Sequence, residues 1–286
     1  MLSVTRKKVY ARERGSSNAL RSGFESLLYH DGVLMALVVA MSMSISTSIA
    51  KGGFLERSVT VHGAAHGYRV WLPANYDRSR SWPAILFLHG SGERGSDGVK
   101  PTLAGLGPAL VEGLAGAEGI VVFPQCPENE HWVGPAREIA LAALDAVEKE
   151  FSIDRRRVSI TGISMGGAGT WVLAAEDPQR WSAAAPICGW VVRPASLTTI
   201  PDNKLSWLGE GEDRPQAIAR RLEALPVWIL HGSSDTVVPV SESRRMASLL
   251  GAHAAYTEFA GVGHNAWSPA YRETGVVAWL LRQRRR

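Results

Sequence analysis

The residues with the clearest chemical promise lie in Gly162-Ile163-Ser164-Met165-Gly166-Gly167, between the apolar stretch VSITG (158–162) and a helix-like segment. A serine hydroxyl is a poor nucleophile unless a base takes its proton and the backbone projects its oxygen into a site. A sharp strand-to-helix turn does the second job. It crowds the chain around the serine, so the flanking positions must be glycine, and it aims the next amide at the reacting carbonyl. The motif alone is a weak signal in a chain with 29 glycines, so its context has to supply the weight.

A base should follow on a later loop at the same sheet edge. Among eight histidines, His264 in AGVGHNAW follows the last apolar strand-like run and is loosely placed by Gly261 and Gly263, which makes it the candidate general base. The orienting acid should follow VWILHG (227–232), and Asp235 in HGSSDTVVP stands there. It would hold the imidazole in one tautomer and stabilise the cation that forms when Ser164 gives up its proton. A turn-forming aspartate is the competing reading. Asp202 and Asp213 are rival acids, in Pro- and Gly-flanked surroundings that read as surface loop.

A tetrahedral oxyanion needs two preorganised donors. The Met165 N–H qualifies by its place after the serine, and the Ser91 N–H by its place in the small-residue loop His89-Gly90-Ser91-Gly92-Glu93-Arg94-Gly95. That loop has no G-K-[ST], which argues against phosphate binding. His89 and His231 each stand in LHGS at a strand end and read as packing or loop-bracing residues. His62 and His66 are spaced i, i+4 in a turn rather than a helix, with no glutamate between, so no metal pair is expected and no cofactor motif appears. Trp132, Trp190 and Trp267 fall on loops near the same edge, where they would either stack on an aromatic or sugar group or pack under the loops.

These side chains need a scaffold that brings distant loops to one rim. SVTVH (58–62) and YRVWLP (68–73) bracket HGAAHG and read as a hairpin. AILFLHG (84–90), IVVFP (120–124), VSITG, AAAPICG (183–189), VWILHG and YTEFAG (256–261) are continuous apolar runs, the signature of strands buried on both faces. Helical periodicity marks 136–151, with Ala140, Leu144, Val147 and Phe151 on one face, and 166–178 and 241–251 also read as helices. Such alternation predicts an α/β fold with a mainly parallel sheet and right-handed crossovers.

The 286 residues, 45% hydrophobic and 20% charged, exclude a disordered chain and fit one large domain, placed at 52–286 behind an extension at 1–51. The net charge of +4 belongs to the ends: without residues 1–32 and 282–286 the body is about −3. No basic stripe interleaved with aromatics appears, so nucleic acid is set aside as a partner. VLMALVVAM (33–41) followed by SMSISTSIA resembles a secretory apolar core with a Ser48-x-Ala50 cleavage site, which predicts export; a disordered extension or a misplaced start is the alternative. The apolar run is too short for a stable membrane span.

Ser164, Asp235 and His264 occur in the chain order of α/β-hydrolases. LHGSGERG, FPQCPENEHW, GISMGGAGTWVLAAEDPQRWSAAAPICG, PVWILHGSSDTVVPVSESRRMASLLG and YTEFAGVGHNAW resemble the α/β-hydrolase esterases of the predicted peptidase or phospholipase/carboxylesterase group. Dienelactone-hydrolase-like and polyhydroxybutyrate-depolymerase-like esterases are similar. The likeness covers about 68–282. It implies an α/β-hydrolase fold: eight strands in the order 1-2-4-3-5-6-7-8, helices on both faces, and the site at the carboxyl ends of the strands. Similar members often cleave short-chain carboxylic esters, and some are exported. The chain departs from the group at Trp190, where further small residues are common, which would narrow the pocket. With that strand order, Cys126 and Cys188 follow strands three places apart, about 14 Å, beyond disulfide reach, so two free thiols are expected.

The segment 191–226 is the only insertion large enough to cap the site, and its polar, proline-broken sequence lacks a strongly amphipathic helix. A small or absent lid follows, with an open site for small or exposed acyl groups. The leading function is therefore a serine carboxylic-ester hydrolase acting on a small-molecule ester. Prolyl-oligopeptidase-like peptide cleavage, a feruloyl- or acetyl-type polysaccharide esterase, and a catalytically idle binding module are the alternatives.

Overall fold

The computed structural model describes residues 53–285, apart from 114, 116, 117, 133 and 199–204. The extension, its signal-like run and Asp202 lie outside the described residues.

The apolar runs form strands because they bury alternate side chains on opposite faces of one sheet. In β3 (Trp82–Leu88), Ala84, Leu86 and Leu88 join one buried cluster while Ile85 and Phe87 join the other. β4 (Ile120–Pro124) divides likewise, with Ile120 and Val122 on one side and Val121 and Phe123 on the other. Together with β1 (Gly53–Val61), β2 (Ala64–Leu72), β5 (Ile153–Ile163), β6 (Ala184–Ile187), β7 (Val227–Gly232) and β8 (Ala254–Phe259) they make an eight-stranded sheet. Its order is β1-β2-β4-β3-β5-β6-β7-β8, with β1–β2 and β2–β4 antiparallel and the remaining pairs parallel. This is the α/β-hydrolase fold.

One face is covered by α2 (Ala136–Glu150), α3 (Met165–Glu176), α4 (Arg214–Arg221) and α5 (Ser241–Leu250). The other carries α1 (Leu106–Val111), α6 (Trp267–Glu273) and α7 (Val276–Arg282). α2 buries Ile139, Ala140, Ala143, Leu144 and Val147, the face its periodicity predicts. In α3, by contrast, every residue from Met165 to Ala175 is buried, which fits the helix that carries the serine turn into the core. Arg221 of α4 donates to the carbonyls of Ala175 and Glu176 and so caps the end of α3.

Three expectations need correction. The hairpin turn is two residues rather than six: β1 pairs with β2 from Val61↔Ala64 onward, and His62 (φ 50°) with Gly63 (φ 80°) makes the reversal. Positive φ at both central residues matches the right-handed twist of the strands, which a long loop does not require. Trp267 begins helix α6 instead of lying on a loop. Asp213 is the N-cap of α4, accepting from the Gln216 N–H at 3.0 Å and pairing with Arg245 at 2.6 Å, so it serves a helix end rather than a site.

Cys126 and Cys188 are both buried free thiols. Among the described residues no helix is long and apolar enough to cross a membrane.

Candidate active site

Ser164 sits between the last residue of β5 and the first of α3, with φ 52° and ψ −116°. A non-glycine residue is rarely held there, and such strain persists only where the surroundings over-determine it. The surroundings do so through close backbone approaches. A Cβ on Gly166 would lie 1.9 Å from the Leu88 carbonyl oxygen, and one on Gly162 would lie 2.4 Å from the Gly166 carbonyl oxygen. Neither position can carry a side chain without moving backbone. The serine is thus wedged between β3, β5 and the start of α3, with 9% of its surface exposed.

His264 reaches Ser164 from the loop after β8. Its Nε2 is 2.8 Å from Ser164 Oγ and its Nδ1 is 2.7 Å from Asp235 Oδ2. The loop is docked on the end of β7, where a Cβ on Gly232 would meet the Val262 carbonyl oxygen at 2.3 Å. The Ser234 N–H donates to that same carbonyl at 2.9 Å, tying the aspartate loop to the histidine loop. The structure therefore brings together Ser164, Asp235 and His264, the three residues the sequence analysis proposes as a chemical unit.

The Asp235 side chain is fully buried yet has four donors. Oδ1 accepts from the Val237 and Val238 amides at 2.8 and 2.9 Å. Oδ2 lies 2.7 Å from His264 Nδ1 and 3.1 Å from His231 Nε2. This second imidazole is the feature that sequence reasoning missed: His231 reads from sequence as a bracing residue, although its i, i+4 spacing to Asp235 across the end of β7 is a visible signal.

The loop after β3 comes up beside the serine. A Cβ on Gly90 would lie 3.7 Å from Ser164 Cβ, so the Gly90–Ser91 peptide borders the nucleophile. His89 orients that peptide. Its Nε2 accepts from the Cys126 amide at 3.0 Å, which leaves the proton on Nδ1 to donate to the Gly90 carbonyl at 2.6 Å. The peptide is trans, so the Ser91 N–H points away from His89. Met165 opens α3, where backbone N–H groups have no intrahelical acceptor.

His89 is fully buried, and loss of solvation pushes it down from 6.5 to about 4. A proton on Nε2 would also face the Cys126 N–H. As pH falls the unfolded chain takes up this proton first, so the neutral imidazole's contribution is complete above about 6.5 and lost between there and about 4. The loss is on the order of 3 kcal/mol. The difference in unfolding free energy between wild type and His89→Gln should therefore shrink by about that much from pH 7 to pH 4. A difference that stays constant in urea titrations at the two pH values would refute this.

The tryptophans divide. Trp132 is wholly buried, its Nε1 donating to the His89 carbonyl at 2.9 Å and its ring packed edge-on against His89 at 4.9 Å. It cannot offer a free face to a ligand, so of the two readings for this residue packing under the loop holds and stacking does not. Trp190 is 6% exposed and packs into the core, while the next two amides, Val191 and Val192, both donate to Glu242 Oε2 at 3.1 and 3.0 Å. Trp267 stands edge-on to the His264 ring at 5.4 Å and is partly exposed.

Among the described residues one group of ligand-type side chains, Cys188, Asp235 and His264, has donor atoms within 4.8 Å of one another. Asp235 and His264 are already bonded to each other, and burial raises the Cys188 thiol far above its ordinary value, so it remains protonated. His62 bonds Glu138 at 2.7 Å on the surface, away from this group.

The fold, with a serine held on its strand-to-helix turn and an imidazole beside it, is that of a serine hydrolase. More narrowly, the chain belongs to the prolyl oligopeptidase family, Peptidase_S9, whose model matches residues 137–283. It is 27% identical over 215 residues to an uncharacterized secreted protein of Arthroderma benhamiae, covering 68% of this chain and 22% of that protein. A bifunctional acetylxylan esterase/xylanase of Neocallimastix patriciarum is 26% identical over 188 residues, which cover 62% of this chain and 22% of the relative. The chain thus spans about a fifth of the length of these two relatives. Among solved structures, a thermostable esterase superposes with a TM-score of 0.64 at 28% identity, covering 81% of this chain and 63% of that one.

Proposed function

We propose that this chain hydrolyses carboxylic esters with small or exposed acyl groups through an acyl-enzyme on Ser164. His264 takes the Ser164 proton as Oγ attacks the carbonyl, returns it to the leaving alkoxide, and then activates the water that releases the acid. Asp235 keeps the imidazole in the tautomer with its proton on Nδ1 and stabilises the cation. The Ser91 and Met165 amides receive the oxyanion, each worth about 10²- to 10³-fold in rate. Trp267, beside His264, borders the substrate, and Trp190 follows Gly189, whose backbone packs on Gly167 next to the serine turn. No metal or cofactor takes part. The observation that carries this reading is the 2.8 Å approach of His264 Nε2 to the hydroxyl of a serine held at φ 52°.

An open site is favoured by the segment 191–226, whose one described helix, Arg214–Arg221, packs Ile218 into the core. The acetylxylan esterase relative favours an ester on a carbohydrate as the natural substrate. The family's name favours a second reading, peptide cleavage, in which His264 protonates a leaving amine instead of an alkoxide. Residues 52–286 would act as one catalytic domain. The secretory pattern at 33–50 and the relative described as secreted support export.

Initial rates on p-nitrophenyl acetate, butyrate and palmitate and on prolyl p-nitroanilide test the assignment. The acetate and butyrate should exceed the palmitate by about tenfold or more, with little or no anilide turnover. Anilide turnover without ester turnover would transfer the assignment to a peptidase.

A further inference from the structure

Two imidazoles converge on one carboxylate oxygen, and only one of them touches the serine. His231 Nε2 has two neighbours, Asp235 Oδ2 at 3.1 Å and the Val238 carbonyl oxygen at 3.0 Å. Both are acceptors, so Nε2 must carry a proton, because a bare lone pair there would face two oxygens in a buried site. On the far side of the ring, Nδ1 lies 2.7 Å from Ser243 Oγ on α5. A hydroxyl can donate, so a neutral ring with its proton on Nε2 satisfies every contact. His231 is fully buried and Ser243 is 2% exposed. Loss of solvation is the largest influence on His231 and opposes a second proton.

We infer that His231 is a positioning residue of the hydrolytic site: its Nε2–H shares Asp235 Oδ2 with the Nδ1–H of His264 and fixes the carboxylate that orients the base. The inference rests on the reading of Ser164, His264 and Asp235 as the hydrolytic unit. A carboxylate held only by the Val237 and Val238 amides on Oδ1 could still rotate Oδ2 out of the imidazole plane. The His231 bond, anchored through β7 on one side and α5 on the other, removes that freedom. It also draws negative charge away from the oxygen facing His264, which tempers how strongly Asp235 favours the imidazolium. The other titratable and charged groups around the pair are few. Cys188 lies beside Asp235 and His264 and is held protonated by burial. Glu258 faces His231 across the β7–β8 pairing, and Arg244 neutralises it through bonds of 2.9 and 2.6 Å.

The test is the second-order rate of fluorophosphonate labelling of Ser164 between pH 4 and pH 9, in the full chain, for wild type, His231→Leu and His231→Gln. Leucine removes the donor, whereas the glutamine amide nitrogen restores one near the position of Nε2. His231→Leu should slow labelling about ten- to hundredfold and move the acid limb of the profile upward. His231→Gln should recover most of the rate and the wild-type limb. A ring that merely fills space would lower the rate without moving the limb and would not be rescued by glutamine.

Should His231→Leu fail to fold, the ¹⁵N imidazole spectrum of wild type decides, with His231 assigned by the signal lost in His231→Gln. A ring protonated on Nε2 and unchanged across this range supports the inference; one that titrates within it, or is protonated on Nδ1, overturns it. Failure of wild type to label at all would instead remove the hydrolytic reading, so the two outcomes are distinguishable.

Discussion

Ser164→Ala is expected to abolish fluorophosphonate labelling and to lower ester turnover about a million-fold, down to the residue of catalysis that binding and the oxyanion donors supply on their own. The size follows from what is removed. His264 Nε2, 2.8 Å from the hydroxyl, has no second oxygen to deprotonate that is fixed in the same place, so water must be recruited without orientation. The variant should remain folded, because alanine keeps the Cβ and loses only one oxygen. Ser164→Gly should be equally inactive but more stable than Ser164→Ala by about 1 kcal/mol, since glycine adopts φ 52°, ψ −116° without the penalty a Cβ carries. In a domain of this size that is a difference of about 2–4 °C in Tm. Residual labelling of Ser164→Ala, or equal melting of the alanine and glycine variants, would separate the chemical role from the conformational one and sink whichever claim it contradicts.

That comparison also bears on what can be read from a sequence. β3 and β4 are legible because the sides of a doubly covered sheet favour apolar residues at every position, so AILFL and IVVF could hardly be anything else; β5 admits the buried Ser159 and Thr161 because each hydroxyl finds a partner. Ser164, Asp235 and His264 are legible for a related reason: each stands just past such a run, where the chain must turn and where glycines mark the close approaches. The reversal at His62-Gly63 is not, since it depends on one non-glycine residue accepting φ 50°, while the two alanines after it look like turn rather than strand. For Trp132 loop position leaves stacking and packing open, because burial is decided by His89, 43 residues earlier in the chain, whose carbonyl takes the indole proton. His231 illustrates the sharper limit. Its location at the end of β7 is plain from HGSSD, but whether a ring nitrogen donates or accepts is set by Val238 and Ser243 together, and no periodicity encodes that.

Asp235→Asn tests the carboxylate through the same donor count. Both oxygens are already committed as acceptors, Oδ1 to two amides and Oδ2 to two imidazoles, and an amide can offer only one oxygen. If its oxygen faces Val237 and Val238, the NH₂ points at His264 Nδ1 and His231 Nε2. His264 can answer by moving its proton to Nε2, which then points at Ser164 Oγ and can no longer take a proton from it. His231 cannot follow, because the Val238 carbonyl still requires a proton on its Nε2. If instead the NH₂ faces the two backbone amides, those donors lose their acceptor. Either orientation leaves a buried clash of donors, at a cost of about 1–3 kcal/mol in stability, and the favoured one holds His264 in the unproductive tautomer. Turnover should fall about 10⁴-fold while the Ser164 hydroxyl and the two amides proposed to receive the oxyanion stay in place. A loss of less than tenfold at unchanged melting temperature would mean that Asp235 does not orient the base, and would point the search for the acid elsewhere in the chain.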